Sequence, residues 1–167
     1  MKKSEIIVIA HNIRSAHNVG SIFRTCEGFG VSKIILSGYT PVPLADENDP
    51  VQGRLPHEAE KITKQIHKTA LGAEQLVPFE RRETLDLAAP DLAEFHIVAL
   101  EQAANSVSLQ DYARPQKIAL LLGEEVHGIE PALLAQCDDI IEIPMQGKKE
   151  SFNVSVATGI ALYGLAT

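Results

Sequence analysis

The segment IPMQGKKESFNVSVATGIALYG, residues 143–164, joins a strand-like run to an apolar run through a polar loop. A phosphate-binding P-loop needs a glycine, four residues, and then Gly-Lys-Ser/Thr. If Gly147-Lys148 were that pair, Glu142 would replace the first glycine and Lys149 would replace the hydroxyl residue. The loop therefore needs another explanation, and the elements around it predict which fold contains it.

Short runs rich in β-branched residues predict six strands, and several of these runs are apolar throughout, which is typical of strands covered on both faces. The strands are predicted at 6–10, 33–37, 75–79, 96–100, 118–123 and 140–144. Helical patterns alternate with them: a stripe formed by Val19, Ile22, Phe23, Cys26 and Phe29, then 57–70, 81–93, 130–137, and from Ser151 to the end. This alternation predicts an α/β domain with a mostly parallel six-stranded sheet and helices on both faces.

The 167 residues, of which 45% are hydrophobic, suit a single domain over 1–167. No apolar run is long enough to span a bilayer, and the first apolar run is too brief for a signal peptide, so we expect a cytoplasmic protein. The two cysteines and six histidines form neither CxxC nor HExxH, so no metal is expected.

The formal net charge of −7 argues against non-specific binding of nucleic acid but leaves room for a local basic patch. The segment 38–56 is rich in proline, glycine and acids. It is either a loop that faces a substrate or a variable surface loop.

Three polar turns follow predicted strands, at the edge where ligands bind in parallel sheets. In the first turn, Asn18 can cap a helix, and Arg24 is either an ordinary surface residue or a functional one. In the second turn, the carboxylates after Gly123 could cap a helix or bind a ligand. In the third turn, Ser151 can cap the last helix, which has no polar face and must be buried in the core or by a second subunit.

These turns resemble the three signature motifs of the SpoU/TrmH family of RNA 2′-O-ribose methyltransferases, in the SPOUT superfamily. The first motif is NVGSIFRTCEGFG at 18–30, and the second is LGEEVHGI at 122–129. The third is IPM at 143–145 followed by SFNVSVA at 151–157, with Phe152 where leucine is usual. The resemblance covers almost the whole chain and implies a single SPOUT methyltransferase domain over 1–167, with no separate RNA-binding domain.

The resemblance implies a deep C-terminal trefoil knot, a homodimer, and an S-adenosylmethionine pocket built by the knot loops. The cofactor would be held largely by backbone groups of Leu100, Gly123, Ile143, Met145, Ser151 and Phe152. The positions that match the polar functional residues of the family are Asn18, Arg24, Glu125, Ser151 and Asn153.

The resemblance also implies an RNA substrate, with tRNA as first choice and ribosomal RNA as second. Arg24 matches the residue proposed to activate the ribose hydroxyl, but arginine stays protonated, so we expect it to bind a phosphate and stabilise negative charge. Candidate RNA contacts are Arg14, Arg24, Arg54, Lys148 and Lys149. The alternatives are a knotted cofactor-binding or RNA-binding protein without methyl transfer, and a nucleotide-binding protein of flavodoxin or Rossmann type.

Overall fold

The computed structural model of the chain describes residues 4–46 and 54–167, which form one parallel sheet covered by helices and loops. The strands are β1 (Glu5–His11), β2 (Lys33–Ser37), β3 (Phe79–Arg82), β4 (His96–Leu100), β5 (Val107–Ser108), β6 (Lys117–Leu122) and β7 (Asp139–Glu142). Their order is β3-β2-β1-β6-β4-β7-β5, and all neighbours are parallel. The predicted parallel α/β sheet is confirmed, whereas the count of six is wrong because β5 adds a short edge strand beside β7.

The central strands β1 and β6 are apolar on both faces because both faces are covered. In β1, Ile6, Val8 and Ala10 belong to one buried cluster, whereas Ile7 and Ile9 belong to a second cluster on the opposite face. Alternate residues of a strand point to opposite faces, so a two-sided core requires a continuous apolar run. The six-residue strand β6 follows the same pattern.

Three long helices cover the first face: α1 (Ala16–Phe29), α2 (Pro56–Ala70) and α4 (Val154–Ala166). The predicted stripe of α1 is confirmed, since Val19, Ile22, Phe23 and Cys26 are all buried. Gly20 lets α2 approach closely, because a Cβ there would lie 2.2 Å from the carbonyl oxygen of Ile66.

The second face is covered differently from the prediction. The short helix α3 (Pro131–Leu134), a 3₁₀ turn at Pro90–Leu92 and irregular chain pack there, so helices lie on both faces as predicted, but the helical segments on this face are short. The helix predicted over 81–93 does not form, because its first residues continue β3 alongside β2. The strand predicted over 75–79 begins only at Phe79, after a 3₁₀ turn at Ala73–Gln75.

Two predicted helix caps are also corrected. Helix α1 begins at Ala16 and is capped by the side chain of Ser15, not by Asn18. Helix α4 begins at Val154 and is capped by Asn153, not by Ser151. Asn18 is thereby left free to make a contact outside its own helix.

Helix α4 is buried on one side only. Ala161, Leu162 and Leu165 lie in the core, whereas Val156, Ile160 and Tyr163 are 50%, 36% and 66% exposed. No helix within 4–46 and 54–167 is long and apolar enough to cross a membrane. Residues 47–53, in the middle of the acidic loop predicted at 38–56, lie outside the described residues.

Candidate functional site

The loops that follow β1, β4, β6 and β7 meet at the carboxyl edge of the sheet, as predicted for ligand sites in such folds. A cavity of about 470 Å³ lies between the last three of these loops and the start of α4. Five of the six residues assigned to the cofactor line it: Leu100, Gly123, Ile143, Ser151 and Phe152. Met145 does not belong to the lining.

Three side chains from the three distant turns form one hydrogen-bonded chain beside this cavity. The side-chain amide of Asn153 donates to Asn18 Oδ1 at 3.2 Å, and Asn18 Nδ2 donates to Glu125 Oε1 at 3.1 Å. Asn153 and Glu125 line the cavity. The turns are therefore in direct contact, although the partners of these two bonds lie 107 positions apart for Asn18–Glu125 and 135 positions apart for Asn153–Asn18.

The Glu125 carboxylate also fixes the backbone before α1. The backbone N–H of Arg14 donates to Oε2 at 3.0 Å, and the N–H of Ser15 donates to Oε1 at 3.2 Å. Burial alone would raise the pKa of Glu125, but the hydrogen bonds from Arg14, Asn18 and Ser15 outweigh it, so the pKa is lowered. The predicted alternative that Glu125 caps a helix, here the one that begins at Pro131, is wrong, because the groups that donate to its carboxylate belong to Arg14, Ser15 and Asn18.

Asn153 connects the same chain of hydrogen bonds to α4. Its Oδ1 accepts from the N–H of Ser155 at 2.9 Å and from the Ser155 hydroxyl at 2.7 Å. With Oδ1 used as the helix cap, the amide nitrogen is directed to Asn18. The start of α4 and the start of α1 are thus held together by polar side chains.

The turn at 123–129 forms one wall of the cavity, and it is tightly built. A Cβ at Gly123 would lie 2.7 Å from the backbone N of Ile129. Gly128 has a φ of 70°, a conformation that favours glycine. The carboxylate of Glu101, which follows β4, accepts from the N–H of Ile129 at 2.9 Å and thereby joins two walls of the cavity.

Glu124 adds a buried negative charge behind the same turn. The hydrogen bond from the backbone N–H of His127 lowers the pKa of its carboxyl. No described residue donates a hydrogen bond to its Oε1, and the nearest cation is Arg14, whose Nη1 lies 3.6 Å away. Arg14 is otherwise exposed, so its guanidinium remains accessible from solvent.

The remaining predicted site residues lie outside the cavity lining. Arg24 is exposed on α1 and forms no hydrogen bond or ion pair with a described residue. Lys148 and Lys149 are exposed in the loop after β7. Arg54 is half-buried and donates to the carbonyl oxygen of Val42 at 2.6 Å, so it also has a structural contact.

Glu101, Gln102 and His127 line the cavity but were absent from the predicted set. Gln102 donates from its side chain to the carbonyl oxygen of Glu150, which links the loops after β4 and β7. The one available signal was position, because Glu101 and Gln102 directly follow a predicted strand. No group of three or more potential metal ligands occurs among residues 4–46 and 54–167.

The model of the SpoU rRNA Methylase family matches residues 5–49 and 53–163. The chain belongs to this family. The alternative of a flavodoxin-type or Rossmann-type nucleotide-binding protein is therefore wrong.

Two relatives share about a third or less of their aligned residues with this chain. A tRNA (guanosine(18)-2′-O)-methyltransferase of Aquifex aeolicus is 32% identical over 97% of this chain and 69% of its own length. The 23S rRNA (guanosine-2′-O-)-methyltransferase RlmB of Coxiella burnetii is 29% identical over 98% of this chain and 60% of its own length.

A solved methyltransferase structure has the same fold. The AdoMet-bound rRNA methyltransferase from Sinorhizobium meliloti superposes with a TM-score of 0.79 at 26% identity, over 98% of this chain and 56% of that one. The chain thus spans between half and about two thirds of the length of these relatives.

Proposed function

We propose that the protein transfers a methyl group from S-adenosylmethionine to a ribose 2′-hydroxyl of RNA. The main support is the hydrogen-bonded chain of Asn18, Glu125 and Asn153 beside a cavity of about 470 Å³, in a member of a methylase family. The relatives named above methylate guanosine in tRNA or 23S rRNA at this oxygen.

The cavity suits the cofactor in size and in chemistry. Its volume lies within the roughly 300–1,000 Å³ that is usual for small-molecule sites. Backbone amides and carbonyls of Leu100, Gly123 and Ile143 can recognise an adenine, since they are fixed donors and acceptors. The cofactor supplies an electrophilic methyl group on a sulfonium. Met145 does not line the cavity, and its contact with the cofactor is proposed from the family resemblance alone.

Asn18, Glu125, Ser151 and Asn153 orient the ribose next to the cavity. Orientation of two reactants can lower a barrier by about 7–11 kcal/mol, which makes positioning the main task of these side chains. Glu125 acts through Asn18 by holding its amide, and Asn153 offers an amide at the cavity rim. These residues place the 2′-oxygen, and Arg24 stabilises the negative charge that develops on it.

Arg24 fits this role best in a homodimer formed through α4. Val156, Ile160 and Tyr163 form an exposed apolar stripe on α4, which a second copy would bury. Helix α1 packs beside α4, since a Cβ at Gly159 would lie 3.7 Å from the methyl group of Thr25. Arg24, adjacent to Thr25, would then lie near the interface and could reach the partner's site.

The trefoil knot of the SPOUT fold is also part of the proposal. Its support is the strand order β6-β4-β7-β5, in which the last strand, β7, is inserted between two earlier ones. The loop 143–153 that leaves β7 then returns beside the cavity before α4 begins. The single-domain organisation and the cytoplasmic location stay predictions.

We propose that the RNA substrate is tRNA, with ribosomal RNA as the second candidate. The support is the relative from A. aeolicus, whose name specifies tRNA and of which the chain spans 69%. The RlmB proteins of Coxiella burnetii and Haemophilus influenzae, whose names specify 23S rRNA, are covered over 60% and 59% of their length.

The test is methyl transfer from radiolabelled S-adenosylmethionine to bulk tRNA and to ribosomal RNA, followed by mapping of 2′-O-methyl sites. Arg24→Ala should lower turnover by roughly 100-fold or more and leave binding of S-adenosylhomocysteine unchanged, because Arg24 does not line the cavity. Absence of transfer to either RNA, with intact cofactor binding, would instead favour a knotted binding protein without methyl-transfer activity.

A further inference from the structure

The exposed face of α2 contains a basic stripe that the site described above does not use. His57, Lys61, Lys64 and Lys68 follow each other at intervals of four, three and four residues, so they lie on one face of the helix. All four are exposed, whereas Ala59, Ile66 and Ala70 on the opposite face are buried. We name these four residues the α2 stripe.

The lysines of the α2 stripe are unpaired within 4–46 and 54–167. None of them lies within 4.0 Å of a carboxylate oxygen that belongs to a described residue, although Glu60 borders the same surface. Lys33 and Lys117, in contrast, each contact two carboxylates. Like charges three and four residues apart destabilise a helix, so stability of the fold does not account for this arrangement.

The α2 stripe ends next to a contact between α2 and the first turn of α1, the helix that carries Asn18. Its residues line a shallow depression of about 370 Å³ on the outer side of α2. Next to Lys68, the hydroxyl of Thr69 donates to the carbonyl oxygen of His17 at 2.7 Å, and His17 directly precedes Asn18. The three lysines span about 10 Å along the helix axis, given a rise of about 1.5 Å per residue.

We propose that the α2 stripe binds the phosphate backbone of the RNA substrate, away from the nucleotide that is methylated. This proposal rests on the proposed function. A row of mobile ammonium groups suits phosphates, which are read as charge without regard to sequence. An anionic membrane is the poorer partner, because an interfacial helix inserts an apolar face, and the apolar face of α2 is buried against α1 and the sheet.

The test is the salt dependence of binding to unfractionated tRNA. Lys64→Gln/Lys68→Gln should reduce the slope of log K against log salt by about 1.4–1.8 and weaken binding on the order of 30-fold at 0.1 M salt. The control Lys33→Gln/Lys117→Gln removes the same charge from lysines that are already paired, and it should change the slope little. Lys64→Arg/Lys68→Arg should bind as tightly as the unmodified protein.

Equal slopes in the two glutamine variants would overturn the proposal, as would salt-independent binding of RNA by the unmodified protein. Binding to phosphatidylserine vesicles that is lost in Lys64→Gln/Lys68→Gln, with RNA binding unchanged, would also overturn it. If Lys64→Gln/Lys68→Gln transfers methyl groups and binds RNA with unaltered affinity, the proposed RNA contact of the α2 stripe is wrong, whereas the proposed function stands. If the α2 stripe binds RNA but the protein transfers no methyl group, the proposed function is wrong, whereas the RNA contact stands.

Discussion

Glu125→Gln should lower the free energy of unfolding by about 1–2 kcal/mol. The carboxylate accepts from the N–H groups of Arg14 and Ser15 and from the amide of Asn18. A hydrogen bond to a charged acceptor contributes about 1.5–3 kcal/mol and a neutral one about 0.5–1.5, so loss of charge removes about 1 kcal/mol per donor. Partial exposure to solvent reduces the sum for three donors to the value given.

The effect of this substitution should depend on pH. Because the pKa of Glu125 is lowered in the folded protein, the carboxylate stabilises the fold fully above its unfolded pKa of about 4.3. That stabilisation is lost as the pH falls through the lower, folded pKa, where the protonated side chain resembles glutamine. The difference between the two proteins should therefore be largest near neutral pH and shrink below pH about 4.

Urea denaturation at several pH values measures this difference directly. The matched control is Glu94→Gln, which removes the same charge from an exposed carboxylate that forms an ion pair with Lys117. We expect little change for the control, because exposed ion pairs are screened by solvent. Equal destabilisation by both substitutions, or a loss for Glu125→Gln that persists unchanged at acidic pH, would refute the reasoning.

Four further substitutions test the packing of α1 and the walls of the cavity. Gly20→Ala should destabilise the fold by about 1–3 kcal/mol, because its Cβ would lie 2.2 Å from a carbonyl oxygen of α2. Its control, Gly28→Ala, should stabilise the fold by about 0.5–1 kcal/mol, because the space around Gly28 is open. Thermal unfolding of both variants measures the two changes. Gly123→Ala should weaken S-adenosylhomocysteine binding at least tenfold in calorimetry, because the new Cβ displaces the cavity wall; unchanged affinity would contradict the assigned cavity. Glu101→Gln should weaken the same binding by a smaller factor, since the N–H of Ile129 loses a charged acceptor, and an effect confined to thermal stability would contradict its positioning role.

Local patterns predicted the sheet and the elements that depend on neighbouring residues. The continuous apolar run of β1 reflects a core on both faces, and Gly30, which ends α1 with a φ of 68°, follows from the glycine after Phe29. The helix predicted over 81–93 does not form, because the pairing of its first residues with the distant strand β2 overrides their local helical preference. The prediction that Asn18 caps α1 failed for a similar reason, since the side chain of Asn18 donates a hydrogen bond to the distant Glu125.

The net charge of −7 is a poor guide to what an RNA would meet at the surface of this protein. Many carboxylates already have partners: Glu125 accepts backbone donors, Glu94 contacts a lysine, and Glu101 accepts from the cavity wall. The lysines of the α2 stripe, in contrast, have none among the described residues. Since interactions between exposed charges are screened beyond about 10 Å at 0.1 M salt, an approaching phosphate responds to this local surface more than to the total. An overall acidic chain can therefore bind RNA wherever its unpaired cations are concentrated, and α2 is where the described residues concentrate them.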